Sequence, residues 1–190
     1  TLEDFHGSTP HLEVLDKRID PEMVTLSGLP TALCLANQSD AGKDQLFLKI
    51  DKALSTLFIV SHGGMKLIRS FATPETDNTQ ASSLGAFVRR TLSAFGEISQ
   101  IEYQPPAMVV TGSGLNGADF DADVSNFIDL PVKGLNFADR LSIPIDGQGN
   151  KQWDPALMDN ALALALMEIE GIRGLNFHKG RFAAKKFFIK

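Results

Sequence analysis

The sequence has 190 residues, a formal net charge of −5, and 43% hydrophobic and 22% charged residues. This composition supports a buried core and is typical of one compact soluble domain. The acidic balance argues against nucleic acid as a partner. The single cysteine, Cys34, excludes an internal disulfide, and no stretch approaches the roughly 18 apolar residues of a membrane-spanning helix.

The first half of the chain predicts a short helix, three strands and a longer helix. Residues 30–37 begin with Pro30, which the first turn of a helix tolerates. Apolar and β-branched residues dominate 45–51, 55–62 and 65–72, and His62-Gly63-Gly64 predicts a tight turn between the last two strands. Apolar residues then recur at helical spacing from Leu84 to Phe95.

The second half predicts a buried strand at 107–112, a helix at about 118–128, a short strand at 131–137 and a helix at 154–170. Asp154 is the expected N-cap of that last helix and Gly171 its stop. Three sequential strands followed by alternating helices and strands indicate an α/β ribonuclease-H-like core: an antiparallel meander to which later strands add in parallel.

The segment Gly112-Ser113-Gly114-Leu115-Asn116-Gly117 matches the dinucleotide-binding pattern G-x-G-x-x-G. A Rossmann fingerprint belongs to the first βαβ unit, whereas this turn follows a meander and a helix. The following acids (Asp119, Asp121 and Asp123) would repel a triphosphate. A plain strand-to-helix connection is therefore favoured over an oxidoreductase site.

No residues form a recognisable catalytic constellation. The four histidines lack metal-ligand spacing, no cysteine cluster is present, and no G-x-S-x-G elbow occurs. An EF-hand loop beginning at Asp119 would need glycine at its sixth position and glutamate at its twelfth, where this sequence has Val124 and Leu130.

Three segments carry a resemblance to a known family. LFLKIDKALSTLFIVSHGGMKLIRSF (46–71), MVVTGSGLNGADF (108–120) and GLNFHKGRFAAKKFF (174–188) resemble, in that order, the first hairpin, a later glycine-rich turn and the ending of actin-like PilM and GspL proteins of type IV pili and type II secretion. The resemblance implies an actin-like lobe at 29–190, with 1–28 as an N-terminal segment left from a first lobe.

The resemblance also implies where a nucleotide would bind. Asp51 matches the family's metal-side acid, Ser55 and Thr56 its hydroxyl residues, and Gly112, Ser113 and Gly114 its turn near the nucleoside. Nucleotide-binding members have glycine after the strand-ending Asp-Ile pair, whereas this chain has Lys52 and Ala53. Their side chains hinder close approach of a phosphate to the backbone. We therefore expect a degenerate site, with no cofactor and with ATP and magnesium doubtful.

The basic C-terminal segment, with Lys185, Lys186 and Lys190, is interpreted as membrane-proximal, because basic residues beside a membrane favour anionic headgroups. The alternative is a solvated edge strand. By resemblance the chain is a non-catalytic scaffold on the cytoplasmic side of the bacterial inner membrane. Its expected partners are the assembly ATPase and inner-membrane platform proteins, with a homodimer left open. The competing hypothesis is an ATP-binding actin-fold protein or a sugar-kinase-like lobe.

Overall fold

The computed structural model describes residues 25–38, 44–75, 79–112, 120–135, 137 and 154–176. The chain divides into two compact units, one formed by Ser27–Ile172 and the other by Thr1–Leu26 with Arg173–Lys190. All elements named here belong to the first unit. In chain order they are α1 (Leu29–Gln38), β1 (Gln45–Ile50), β2 (Leu54–Ser61), β3 (Gly64–Ala72), α2 (Gln80–Ser99), β4 (Met108–Thr111), α3 (Phe120–Ile128), β5 (Val132–Gly134) and α4 (Pro155–Glu170).

The strands form one five-stranded sheet in the order β3-β2-β1-β4-β5. The pairs β1–β2 and β2–β3 are antiparallel, whereas β4 pairs in parallel with β1, and β5 with β4. This confirms the predicted meander with parallel additions, and an antiparallel β2 at this place excludes a Rossmann sheet.

A two-residue turn joins β2 to β3. His62 and Gly63 both have positive φ, of 53° and 69°, as a type I′ hairpin requires. The twist of such a turn matches that of the flanking strands. The predicted tight turn therefore sets the register next to it, and the register shifts farther along, between Ile59 and Val60.

One face of the sheet packs against α2 and α3 and holds the main core. Alternate residues of β1, including Leu46, Leu48 and Ile50, point to this face. The predicted periodicity of α2 supplies matching apolar residues, and α3 adds its own; these include Leu84, Val88, Phe120, Val124 and Ile128. At Gly85, where a Cβ would lie 3.2 Å from Phe127 Cγ, α2 and α3 approach closely.

The opposite face carries the Phe47 and Phe58 rings, whose centroids are 5.6 Å apart. Helix α1 starts beside this face, since a Cβ on Gly28 would fall 3.2 Å from the Phe58 ring. The Cys34 thiol of α1 donates to the Ala163 carbonyl of α4 at 3.4 Å. Helices α1 and α4 therefore pack against each other.

The ends of α4 follow the sequence signals. Asp154 accepts the first helical hydrogen bond, from Met158 N–H at 2.8 Å. At the other end Gly171 has φ +66°, and Ile172 N–H donates to Met167 O at 2.9 Å. This is a Schellman motif, in which the left-handed glycine satisfies the last carbonyls.

Candidate functional site

The connection between β1 and β2 is the turn Asp51-Lys52-Ala53, which the sequence singled out. Asp51 N–H donates to Leu54 O at 3.3 Å, and Thr73 N–H donates to Ala53 O at 3.0 Å. Lys52 and Ala53 are exposed. The turn is thus closed by the protein's own backbone, and side chains stand where a phosphate-binding loop would have glycine.

The Asp51 carboxylate has internal partners on both oxygens. Its Oδ1 lies 3.4 Å from the Lys49 ammonium, and its Oδ2 accepts a 2.9 Å hydrogen bond from the Ser27 hydroxyl. The Lys49 side chain is only 5% exposed, against 35% for Asp51. A buried cation therefore neutralises the acid that a metal would need.

Ser55 and Thr56 are adjacent strand residues, so their side chains point to opposite faces of the sheet. The Ser55 hydroxyl lies 2.8 Å from that of Thr73, which donates its proton to Asp51 O at 2.7 Å. Ser55 must then be the donor to Thr73. Thr56 pairs with the Ser70 hydroxyl at 2.9 Å, so both predicted hydroxyls are buried and bonded within the protein.

The strand register aligns four polar residues across the sheet. Ser70 stands opposite Thr56, Thr56 opposite Lys49, and Lys49 opposite Thr111. Of these, Lys49, Thr56 and Thr111 are buried. Gly28 lies over the row, because a Cβ there would fall 2.9 Å from Lys49 Cβ. These four residues, the polar row, run across the sheet on the face beside α1, and reach the ends of β1 and β4.

Gly112 ends β4 directly against the backbone of β1. It has φ +132°, and a Cβ would fall 2.6 Å from Ile50 C and 2.8 Å from Ile50 N. No side chain fits in that space, which explains the first glycine of the G-x-G-x-x-G pattern. Ser113 and Gly114, predicted with it, lie outside the described residues.

An actin-type site would present a carboxylate for hydrated magnesium and hydroxyls and N–H groups for phosphate. Here the carboxylate of Asp51, its N–H and the hydroxyls of Ser55 and Thr56 are all bonded within the protein. Among the described residues no group of three His, Cys, Asp or Glu side chains gathers as metal ligands. The groups of this turn that would contact a magnesium triphosphate therefore already have partners within the protein.

The sequence reasoning missed Lys49, Ser27 and Thr73. Lys49 did leave a signal, because it is the one charged residue of the strand QLFLKI. The predicted membrane-proximal residues Lys185, Lys186 and Lys190 lie outside the described residues. Where the structure describes helices, none combines the length and hydropathy that crossing a bilayer requires.

No protein-family model and no curated protein matches the chain. Among solved structures, it is similar to one in a PilM–PilN type IV pilus biogenesis complex, with 14% identity, a TM-score of 0.50, and coverage of 77% of this chain and 51% of that chain. It also matches a Bacteroides thetaiotaomicron protein with an actin-like ATPase fold (14% identity, TM-score 0.42, 60% of this chain and 42% of that chain). A third match is the ethanolamine utilization protein EutJ from Carboxydothermus hydrogenoformans (16% identity, TM-score 0.41, 72% and 52%).

The chain spans about half or less of the length of these proteins. At such identities the likeness concerns the fold alone. The five-stranded sheet, with a meander, parallel additions and helices packed on it, is an actin-like ATPase fold.

Proposed function

We propose that the chain is a non-catalytic scaffold lobe of a bacterial assembly platform, either for type IV pili or for type II secretion. The observation that carries this proposal is the pairing of Asp51 with the buried ammonium of Lys49. By the resemblance, Asp51 is the acid that an actin-fold ATPase would need free. Because Asp51 is paired with Lys49, we infer that the lobe works by holding partners and not by turnover.

The internal pair has an energetic consequence for magnesium. A metal ion approaching Asp51 would meet a positive charge 3.4 Å from Oδ1, and the pair would have to separate before the carboxylate served as a ligand. Removing one member of a buried pair typically costs about 3–5 kcal/mol, and less where one member is partly exposed, as Asp51 is. Magnesium binding would have to offset that cost.

The likeness to a protein in a PilM–PilN type IV pilus biogenesis complex supports a partner in pilus assembly. We extend this to inner-membrane platform proteins and to the assembly ATPase, with the lobe on the cytoplasmic side of the inner membrane. Lys185, Lys186 and Lys190 would then lie near anionic headgroups. A short partner segment would dock in a groove or along a sheet edge, and self-association into a dimer stays open.

Two measurements test the proposal together. Calorimetric titration of magnesium-ATP into the protein should show no binding, and affinity capture from detergent-solubilised membranes of the source cell should recover platform proteins and the assembly ATPase. Micromolar ATP binding that is lost in Asp51→Ala would overturn the non-catalytic part. Recovery of neither partner would overturn the platform role.

A second candidate function, an ATP-binding actin-fold protein, is favoured by Gly112. Its contact with the Ile50 backbone keeps the carboxyl ends of β1 and β4 adjacent, and ligands of α/β sheets bind outside such strand ends. For this candidate, Lys49→Met should increase magnesium-ATP binding by freeing Asp51. If neither the wild type nor Lys49→Met binds magnesium-ATP, this candidate function is rejected.

A further inference from the structure

Helix α4 has an apolar outward face. Met158, Leu162, Ala165 and Ile169 recur at spacings of four, three and four residues, which aligns them along one side of the helix. Ile169 is 80% exposed and Met158 36% exposed; Ala165 is exposed and Leu162 half-buried. We name these four residues the α4 stripe.

The stripe is separate from the surface by which α4 packs within its own unit. That inner surface contains Asp159, Ala163 and Met167, all buried. Its contacts include the Ala163 carbonyl bonded to Cys34 and Asp159 Oδ2 accepting from Phe137 N–H at 3.2 Å. A surface helix normally presents polar residues outward, and a helix that is apolar on both sides is normally covered. The stripe therefore has the character of a docking face.

The exposed charges that α4 itself carries beside the stripe are negative. Asp154 and Glu168 are exposed and stand two heptads apart, so they lie along the same flank of the helix. Residues 154–172 contain no lysine or arginine. In a second copy docked on the stripe, the acids of the two α4 helices would face one another, and an anionic bilayer would be repelled by them.

We infer that the α4 stripe docks an amphipathic helix of a partner protein, with apolar residues at the same four-three spacing and lysine or arginine along one flank. This mode of recognition is helix-in-groove binding, in which the apolar residues provide affinity and the flanking charges select the partner and its direction. The inference rests on the proposed scaffold role, because it identifies the surface by which such a scaffold would hold a partner.

Two synthetic helices provide the test. Both carry leucine at four-three spacing; one has lysines along its flank and the other has glutamates. Fluorescence anisotropy should show the wild type binding the lysine-flanked peptide about 10-fold more tightly than the glutamate-flanked one. Glu168→Lys should shrink or invert that preference, and Ile169→Glu should weaken both peptides by about 10-fold or more.

The matched control is Ile98→Glu, since Ile98 is 83% exposed but lies on α2; this variant should bind both peptides as the wild type does. Both isoleucines are exposed, so neither variant should change the melting temperature appreciably. The inference is refuted if neither peptide binds, if Ile169→Glu binds normally, or if the wild type forms dimers in sedimentation velocity that Ile169→Glu abolishes. In the last case a second copy covers the stripe.

Failure of this inference is distinguishable from failure of the proposed function. If membrane capture recovers platform proteins equally with the wild type and Ile169→Glu, the scaffold role stands and the stripe is not its docking face. If the lysine-flanked peptide binds but capture recovers no platform protein, the stripe is a docking face in some other assembly.

Discussion

Gly112 offers the sharpest test of the site geometry. A side chain added there would overlap backbone atoms of Ile50, which cannot move aside as a flexible side chain can. In Gly112→Ala the new Cβ would be 2.6 Å from Ile50 C and 2.8 Å from Ile50 N, so a central strand has to shift. Overpacking of this kind costs about 1–3 kcal/mol. Holding alanine at φ +132° costs about 1–3 kcal/mol more.

The sum predicts that Gly112→Ala lowers the free energy of unfolding by about 2–6 kcal/mol. A domain is typically stable by only about 5–15 kcal/mol, so the variant should lose a large fraction of its stability. Urea denaturation followed by circular dichroism measures the loss, and an unchanged m-value would show that the unfolded state is not affected.

Substitutions at two other glycines separate the cost of backbone strain from the cost of steric overlap. Gly63 has φ +69° with no atom within 4 Å of an added Cβ, so Gly63→Ala should cost only about 1–2 kcal/mol. Gly96 lies inside α2 with open space around it, and Gly96→Ala should stabilise the protein by about 0.5–1 kcal/mol. If Gly112→Ala costs no more than Gly63→Ala, the close approach of β4 to Ile50 is refuted.

Three further predictions concern other contacts. Gly85→Ala should destabilise the protein by about 1–3 kcal/mol, and Phe127→Ala in the same chain should recover part of that loss; equal losses with and without Phe127 would reject the contact. Tyr103→Phe should cost about 1 kcal/mol in urea denaturation, because the hydroxyl of this half-buried residue donates to the Gln45 carbonyl at 2.6 Å; no loss would mean that this bond is not formed. Burial and the charge of a nearby glutamate raise the pKa of the Cys34 thiol from 9.0 to about 11. The stabilisation from the neutral thiol should therefore be complete below pH 9 and decline as the pH rises through 11, a decline that Cys34→Ala should lack.

The sequence was most informative where structure is local. The meander followed from three runs of apolar and β-branched residues and from the turn at His62-Gly63. Helix α4 followed from Asp154 and Gly171, because such signals act over a few residues. The sequence also implied that the side chains of Ser55 and Thr56 point to opposite faces of the sheet, since neighbouring residues in a strand alternate between faces.

The partners of Asp51 were beyond sequence reasoning. Ser27 precedes it by 24 residues and Thr73 follows it by 22, so their proximity to Asp51 depends on the tertiary fold. Lys49 is closer in sequence, but a lysine in a strand normally reaches solvent. Its burial follows from the register that puts it between Thr56 and Thr111 and from Gly28 above it.

The links between α1 and α4 have a consequence for the order of folding. They join residues 129 to 133 positions apart: Cys34 to Ala163, Asn37 to Glu170, and Gly28 N–H to Asn160 Oδ1 at 3.2 Å. The meander closes through hairpins and can form early, whereas contacts of such long range form slowly because loop closure must precede them. On the ribosome α1 emerges before the other described elements but obtains its α4 contacts only after nearly the whole unit has been synthesised. Until then only the start of α1, where Ser27 bonds Asp51 and Gly28 lies against Phe58, can be held by the sheet.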